Sequence, residues 1–297
     1  VGGGLSIALT EEKVNTLRRL GAEALELCKE LAGVIKEALE PKQELLTSLP
    51  LEMSNMGLVN DGVHELYDGQ LRLRGTDGSV FEFPEDAWRD HLFERSSPVS
   101  YAKHVFCKTP NGEETYRVGP LARLNCCDRM DTPLAQAELE TFRALGGSPC
   151  NHTVMYHYAR LIELMNAAEK MHELLQDDEV RSDNVRTEPP GGFKNATSMV
   201  EAPRGTLIHD YSVDQNGILT DVNLIVATQQ NIQAINETIG LSAAKYVDLE
   251  DQKLLNAVEF GVRCYDPCLS CATHRIGEMK LDVTVRRNGE TLRRVKR

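Results

Sequence analysis

Apolar residues recur every three or four positions along several stretches of the chain, a spacing that places them on one face of an α-helix. The first stretch, residues 11–39, follows Thr10, begins with two glutamates and stops before Pro41. A threonine followed by acidic residues is a typical helix start, and proline ends helices. The same spacing predicts further helices over residues 132–145, 151–176, 228–238 and, with Asp248 as N-cap, 248–264.

A different pattern, of short apolar groups separated by Asp-Gly and Asn-Gly pairs, occupies residues 51–116. Such pairs favour the tight turns of β-hairpins, so we predict hairpins here, with one short helix over residues 85–94. Asn-Gly turns at Asn216 and Asn288 predict two more hairpins. Together the elements predict an α+β, mainly helical fold, in which a core bundle of long helices carries peripheral β-hairpins.

Composition and charge narrow the range of functions. The 297 residues include 45 acidic and 33 basic side chains, and the net charge of −12 argues against nucleic acid or an anionic membrane as partner. No stretch reaches the roughly 18 apolar residues that span a bilayer. The first residues lack the pattern of a secretory signal. We therefore expect a cytoplasmic protein whose eight cysteines stay reduced.

Three cysteines and one histidine fall within eleven residues near the end of the chain: Cys264, Cys268, Cys271 and His274. Thiolates and imidazole bind soft and borderline metals, and a two-residue gap lets two sulfurs reach one ion. Three interpretations follow from the spacing: a structural zinc site, a redox dithiol, and half of a larger metal centre. The dithiol is disfavoured because a predicted helix precedes the motif, and the other two are equally supported.

Four blocks of the sequence add to this picture: YRVGPLARLN at 116–125, EAPRGTLIHDY at 201–211, DVNLIVATQQN at 221–231 and DPCLSCATH at 266–274. In this order they resemble motifs of the large subunit of nickel-iron hydrogenases, and in particular of the cytoplasmic NAD-reducing and methyl-viologen-reducing group. The resemblance covers most of the chain from about residue 50. It implies the large-subunit fold and an oxidoreductase that cleaves H2 heterolytically and reversibly.

The resemblance also implies a set of metal ligands. Cys268 corresponds to a terminal nickel ligand, and Cys271 to a thiolate that bridges nickel to an iron carrying cyanide and carbon monoxide. His274 corresponds to a ligand of a second ion, magnesium or iron, with the backbone carbonyl of Leu224 as its companion. Cys264 has no counterpart among the ligands, and we expect it to be an ordinary buried residue.

Residues around the centre follow from the same resemblance. Arg204 corresponds to an arginine suspended over the two metals, where an always-charged guanidinium can donate to cyanide. Asp266 is expected to orient Arg204, and we group the two as the catalytic pair. Thr228 is expected to donate its hydroxyl to the other cyanide, with Pro203 as a further residue that lines the cofactor.

The sequence departs from the family pattern in its cysteines. A first cysteine pair of the family has no counterpart here, because Cys28 stands alone and Cys126 and Cys127 are adjacent. The chain begins at Val1, so we expect the missing pair on upstream polypeptide or on a companion chain. Electrons are expected to leave through an iron-sulfur small subunit, and from there to a diaphorase or other electron-acceptor module.

The end of the chain suggests two segments. Residues 1–274 are predicted to form the C-terminal portion of a hydrogenase large-subunit domain, and residues 275–297 a basic extension that a maturation endopeptidase removes after His274. The alternative for the extension is a permanent surface hairpin. The alternative for the whole chain is a non-catalytic metal-binding or assembly protein that holds zinc through Cys268, Cys271 and His274.

Overall fold

The computed structural model describes residues 4–98, 100–187, 192, 194–268 and 282–296. Short 3-10 turns precede or follow several of the helices in these ranges. The helices are α1 (Glu11–Leu39), α2 (Gln43–Leu46), α3 (Trp88–His91), α4 (Pro120–Cys126), α5 (Pro133–Gly146), α6 (Tyr156–Leu174), α7 (Ala227–Gln230), α8 (Ile232–Lys245) and α9 (Asp251–Arg263).

The strands of the described ranges form small, largely antiparallel sheets. The strands are β1 (Ser54–Asn60), β2 (Val63–His64), β3 (Gln70–Arg74), β4 (Val80–Pro84), β5 (Leu92–Ser97), β6 (Ser100–Thr109), β7 (Gly112–Glu114), β8 (Tyr116–Arg117), β9 (Asn195–Ala202), β10 (Gly205–Val213), β11 (Leu219–Ile225), β12 (Asp282–Arg287) and β13 (Glu290–Lys296). One sheet has the order β2-β1-β3-β4 with β8 parallel to β1, and others have the orders β5-β6-β7, β11-β10-β9 and β12-β13.

The long helices surround the larger apolar core. Helix α1 packs on α6, which also packs on α5 and α4. The predicted N-cap is confirmed, because the Thr10 side chain accepts a hydrogen bond from the Lys13 amide at 3.4 Å. Phe142 and Tyr158 meet inside this core with ring centroids 6.0 Å apart. Within the described residues, no helix is both long enough and apolar enough to cross a membrane.

The strands contain a core of their own. Buried side chains from the β1 sheet, such as Met56, Leu73 and Phe83, cluster with Ile208 of β10 and Ile225 of β11. This cluster forms because alternate residues of each strand point to one face of the sheet. The predicted hairpins about Asn216 and within residues 51–116 are thus confirmed, and their buried side chains form an apolar cluster together.

Some predicted boundaries were wrong. Helix α8 continues to Lys245, beyond the predicted end at residue 238. Thr238, which is β-branched and polar, is tolerated inside the helix because its hydroxyl is buried in a 2.8 Å hydrogen bond with the Tyr265 hydroxyl. Helix α9 begins after Glu250 rather than Asp248, since residues 246–249 form a turn in which the Leu249 amide donates to Tyr246 O.

The hairpin of β12 and β13 packs against α9. Its turn at Asn288 and Gly289 has positive φ at both residues, +53° and +85°, as Asn-Gly turns require. Val295 is buried against the apolar face of α9. Arg293 donates from Nε to Asp251 Oδ1 at 2.6 Å, at the start of the same helix. The predicted hairpin is therefore confirmed, and it is anchored to the domain.

Two glycines of the neighbouring helices α8 and α9 have opposite surroundings. A Cβ at Gly261 would lie 2.6 Å from Ser242 Oγ, whereas a Cβ at Gly240 would meet nothing within 4 Å. We predict that Gly261→Ala lowers the free energy of unfolding by about 1–3 kcal/mol through overpacking. Gly240→Ala, the control, should raise it by up to about 1 kcal/mol through helix propensity. Urea unfolding followed by circular dichroism measures the free energy of unfolding of both variants. Equal changes in the two variants would contradict the close contact between α8 and α9 at Gly261.

Candidate metal-binding site

The four sequence blocks, which are far apart in the chain, meet at one place in the fold. Blocks 116–125 and 221–231 contact each other beside the hairpin of block 201–211, and the first residues of block 266–274 lie against that hairpin. Five hydrogen bonds join them in pairs: Val118 N to Asn231 Oδ1 (2.8 Å), Arg123 Nη1 to Glu201 Oε2 (2.7 Å), Gln230 Nε2 to Thr206 O (2.6 Å), Arg204 Nε to Asp266 O (2.7 Å) and Cys268 N to Thr228 Oγ1 (3.1 Å).

Arg204 lies at the tip of the β9–β10 hairpin. Ala202 and Gly205 pair across the hairpin, so Pro203 and Arg204 form its loop. Gly205 has a φ of +138°, and a Cβ there would lie 2.4 Å from Val118 Cγ2. Only glycine fits this conformation and this close approach. The tip is therefore held tightly against the loop that precedes α4, and Arg204 projects from a fixed base.

Asp266 meets the side chain of Arg204. Arg204 Nε donates to the Asp266 carbonyl at 2.7 Å and lies 3.3 Å from Asp266 Oδ2. The two side chains are 43% and 50% exposed, so the pair lies at the surface of the described chain. Asp266 has a φ of +49° and ends the turn after α9. Two residues after that turn, Cys268 contacts Thr228.

Thr228 and Cys268 form the second contact of the last block. Thr228 belongs to α7, and its hydroxyl oxygen accepts the Cys268 amide at 3.1 Å. Gln230 of the same short helix is buried and donates to the Thr206 carbonyl of β10. Its own Oε1 accepts the Tyr116 hydroxyl at 2.9 Å. Helix α7 thus fixes Cys268 relative to the hairpin that carries Arg204.

A buried charge cluster lies beneath the tip. Arg123 of α4 donates Nε and Nη2 to the two oxygens of Glu163 at 2.6 and 2.7 Å, and Nη1 to Glu201 at 2.7 Å. The same guanidinium also donates to the carbonyls of Ala202 at 2.9 Å and Pro203 at 3.3 Å. Its side chain is 1% exposed and that of Glu201 is 0% exposed. The cluster therefore ties α4, α6 and the hairpin together in the interior.

The charges of this cluster shift its pKa values. Burial alone would raise the pKa of Glu163, but the charge and hydrogen bonds of Arg123 outweigh it and lower the pKa to about 2. For Glu201 burial is the largest effect and leaves its pKa raised, although Arg123 and Thr206 oppose it. Burial opposes the charge of Arg123, but the two carboxylates raise its pKa above the usual range. Arg123 and Glu163 are thus a charged pair.

Most of the other cysteines are buried in apolar surroundings. Burial raises the pKa of Cys107, Cys127 and Cys264 to about 12, and it also raises the pKa of Cys126 and Cys150. In the metal-free chain these thiols are therefore neutral. Cys268 is only partly buried, unlike the other six described cysteines. The expectation that Cys264 is an ordinary buried residue is supported.

The structure brings together part of the predicted site. Arg204, Asp266, Thr228 and Cys268 are neighbours, and Pro203 presents its carbonyl to Arg123. Leu224 lies on β11 opposite His209, and its side chain is 41% exposed. Cys271 and His274 lie outside the described residues. Among the residues that are described, no group of three or more His, Cys, Asp or Glu side chains is arranged to hold a metal ion.

Sequence reasoning missed the charge cluster. Arg123 and Glu201 are part of the quoted blocks, and an arginine and a glutamate in two blocks expected at one site are a signal for an ion pair. Glu163 gave no such signal, because it looks like one of many helical glutamates. His64, whose Nε2 lies 3.1 Å from Glu163 Oε1, was likewise unmarked.

Comparison with known proteins assigns the family. The family model described as nickel-dependent hydrogenase matches residues 56–274. The chain belongs to the nickel-dependent hydrogenase family. The predicted resemblance to the large subunit is confirmed, and so is the predicted fold. The family name also implies a nickel-containing centre.

Similar proteins include components of two kinds of hydrogenase. The chain is 39% identical over 286 residues to a subunit of the F420-non-reducing hydrogenase vhc of Methanococcus voltae, covering 93% of this chain and 60% of that protein. It is 41% identical over 240 residues to NAD-reducing hydrogenase HoxS subunit beta of Cupriavidus necator, covering 78% of this chain and 49% of that protein. The chain thus spans about half to three-fifths of the length of these curated relatives.

Solved structures agree with this assignment. An NAD⁺-reducing [NiFe]-hydrogenase in the H2-reduced state superposes with a TM-score of 0.84 at 32% identity, covering 92% of this chain and 62% of that chain. The Ni-Fe-Se hydrogenase of D. vulgaris Hildenborough superposes with a TM-score of 0.71 at 19% identity, covering 92% and 63%. The second likeness is one of fold alone.

The charge cluster predicts a pH-dependent stability. The pKa of Glu163 is about 2 in the folded chain and its usual value is 4.5, so its contribution is complete above pH 4.5 and is lost as the pH falls toward 2. We predict that Glu163→Gln lowers the free energy of unfolding at pH 7 by about 3 kcal/mol, because Arg123 loses one of its two carboxylate partners and a charge-assisted hydrogen bond. Urea unfolding at a series of pH values should show this difference shrinking below pH 4.5.

The matched control is Glu23→Gln, which removes the carboxylate of an exposed ion pair with Arg19 on α1. Because surface pairs contribute little, its effect should stay below about 0.5 kcal/mol at every pH. A Glu163→Gln difference that is the same at pH 7 and pH 3 would contradict the assignment of a charged pair.

Proposed function

We propose that this chain is the C-terminal portion of the large subunit of a nickel-iron hydrogenase and takes part in the reversible heterolytic cleavage of H2. The observation that carries the proposal is the convergence of four separate sequence blocks on one surface that presents Arg204, Asp266, Thr228 and Cys268. The family match and the hydrogenase relatives support it.

The described donors fit one side of a nickel-iron centre. Cys268 is the described cysteine that is only partly buried, and its amide is fixed by Thr228. A soft thiolate is the ligand that nickel and iron prefer at such a centre. We propose Cys268 and Cys271 as nickel ligands, with Cys271 also on an iron that carries cyanide and carbon monoxide. Two further thiolates would come from polypeptide outside this sequence.

The chain's own residues would hold and orient the ligands of that centre. Arg204 donates from Nε to the Asp266 carbonyl at 2.7 Å and from Nη2 to Asp266 Oδ1 at 3.5 Å, so Nη1 would be the first donor available to an anionic ligand. The Thr228 hydroxyl is a second donor. When bound, the nickel-iron group supplies the Lewis acidity that polarises H2. Asp266 keeps the guanidinium in one place during turnover.

Further cofactors and partners are part of the proposal. His274 and the carbonyl of Leu224 are proposed to bind a magnesium or iron ion beside the centre. Electrons are proposed to leave through an iron-sulfur small subunit to a diaphorase or other acceptor module. The name of one relative, the beta subunit of an NAD-reducing hydrogenase, supports an assembly of several subunits. The cytoplasm is the proposed location, because unpaired buried thiols such as Cys28, Cys107 and Cys150 suit a reducing compartment.

Metal analysis tests the proposal. The protein, isolated from its native host with its companion chains, should contain nickel and iron, and Cys268→Ser should lower the nickel content to about a tenth or less because a thiolate ligand is lost. Cys28→Ser, on α1 and remote from the site, is the control and should retain nickel. Elemental analysis by mass spectrometry measures both, together with hydrogen-dependent dye reduction.

Zinc as the sole metal, without hydrogen-dependent dye reduction, would overturn the proposal in favour of a non-catalytic metal-binding or assembly protein. Nickel that is retained in Cys268→Ser would remove Cys268 from the ligand set.

The C-terminal extension gives a second test. We propose that an endopeptidase cuts after His274 once nickel is bound, and releases residues 275–297. The β12–β13 hairpin is anchored on α9 by Val295 and Arg293, so an uncut chain should stay folded and stable. Intact-mass measurement should show metal-loaded chains that end at His274 and metal-free chains that still contain residues 275–297. A nickel-loaded, active protein that retains residue 297 would contradict the removal of the extension.

A further inference from the structure

We propose that Arg123 and Glu163 are positioning residues for Arg204: the buried pair fixes the hairpin tip from which Arg204 reaches its ligands. This inference deepens the proposed function and rests on it for the role of Arg204. Neither residue touches the candidate metal centre among the described contacts. Their effect would pass through the backbone of residues 202 and 203.

The first step is the contact between Arg123 and the tip. Its five hydrogen bonds go to both oxygens of Glu163, to Glu201 and to the carbonyls of Ala202 and Pro203. A guanidinium has five N–H donors in a rigid plane, so every donor is used. The two carbonyls belong to the residues immediately before Arg204. Any rotation of the hairpin tip would leave at least one buried donor unsatisfied.

The second step is the anchor on α6. Glu163 holds two of the five donors, so the guanidinium plane follows the position of that helix. Arg160, one turn earlier on α6, donates Nη2 to the Cys264 carbonyl at 2.7 Å. Residues three apart lie on the same face of a helix. Arg160 therefore holds the segment that leads to Asp266, while Glu163 holds the base of Arg204 through Arg123.

The two anchors meet in the Arg204–Asp266 contact. Arg204 is placed through Arg123, and Asp266 is placed through Cys264. Both series of contacts begin on the same turn of α6, at Glu163 and Arg160. The hairpin is also confined from the other side, since a Cβ at Gly119 would lie 2.8 Å from the Arg204 carbonyl. The position of the arginine head is thus set by buried contacts rather than by its own exposed side chain. Catalytic groups need such placement, because displacement by about 1 Å can cost about a hundredfold in rate.

Arg123→Lys tests this inference directly. Lysine keeps a positive charge beside Glu163 and Glu201, but one ammonium cannot replace the planar fork that also holds two successive carbonyls. Arg18→Lys is the matched control, because Arg18 donates to the successive carbonyls of Leu175 and Gln176 at 2.6 and 3.4 Å, away from the tip. Both variants are made in the protein as isolated from its host with its companion chains.

The first measurement is the rate of trypsin cleavage after Arg204. We expect Arg123→Lys to raise this cleavage rate by about tenfold, because the carbonyls of Ala202 and Pro203 lose the contacts that keep local opening of the tip rare. Arg18→Lys should leave cleavage after Arg204 unchanged, and cleavage after Arg263 on α9 should be the same in all three proteins. Unchanged cleavage after Arg204 in Arg123→Lys would overturn the inference. The three proteins are compared at equal nickel content, because a centre bound at Arg204 would also protect the tip.

The second measurement is a double-mutant cycle on hydrogen-dependent dye reduction, per bound nickel. We expect Arg123→Lys to lower the rate by about tenfold to a hundredfold, and Arg18→Lys to leave it unchanged. If Arg123 acts through Arg204, the rate of Arg123→Lys combined with Arg204→Lys should equal that of Arg204→Lys alone. Losses that multiply would show a general structural role and overturn the inference.

A third variant covers the case in which Arg123→Lys fails to fold. Glu163→Gln keeps Arg123 and its two carbonyl contacts, but the Gln oxygen can accept only one of the two hydrogen bonds, and the Gln NH2 group opposes an Arg123 N–H. The guanidinium plane is then held less firmly to α6, so cleavage after Arg204 should rise. The effect of this variant on rate should disappear in the Arg204→Lys background. Absence of both effects would overturn the role of Glu163. A wild-type protein without nickel or hydrogen-dependent activity would refute the proposed function, while the trypsin measurements would still decide whether Arg123 holds the tip.

Discussion

Burying an arginine is costly unless its charge and its donors are matched, and Arg123 is matched by two carboxylates and two carbonyls. The match requires α4, α6 and the β9–β10 hairpin to keep one relative arrangement. Removing one carboxylate would leave Arg123 with a single charged partner and with donors that are no longer fully satisfied. The geometry of the candidate site therefore depends on this cluster, although the cluster lies beneath the site and not in it.

The contrast between Arg123 and Arg204 shows how one residue type serves two purposes. The Arg123 side chain is 1% exposed, and Arg204 is 43% exposed with Asp266 as its described partner. The guanidinium of Arg123 uses all its donors and has none left for a ligand. Arg204 contacts Asp266 through Nε and, at 3.5 Å, through Nη2, so Nη1 is the nitrogen without a described contact. Leaving it unbonded costs little, because water satisfies it when no ligand is present. A backbone held in place by buried contacts, with an accessible guanidinium above it, is an arrangement that favours binding of an anionic group.

Much of the fold and part of the site could be predicted from the sequence. The N-cap at Thr10, the face of α6 and the Asn-Gly hairpins follow from local rules, and the four blocks pointed to Arg204, Asp266, Thr228 and Cys268. Strand β9 and the end of α8 were missed because tertiary contacts decide them: β9 pairs along β10, and Thr238 is satisfied by Tyr265. Glu163 could not be recognised, since its role depends on what a distant helix brings next to it.

The cysteines show why burial matters more than number in choosing metal ligands. Cys126 and Cys127 are adjacent and would seem a better pair than a lone thiol, yet both are buried and their thiols point at backbone carbonyls, Cys126 Sγ at Asn55 O and Cys127 Sγ at Leu124 O. Desolvation stabilises the neutral form of each in the metal-free chain. Cys268 is only partly buried, because the turn at Asp266 carries it away from α9, and its amide donates to Thr228. The same backbone turn therefore places Asp266 beside Arg204 and makes the cysteine two residues later available to a metal.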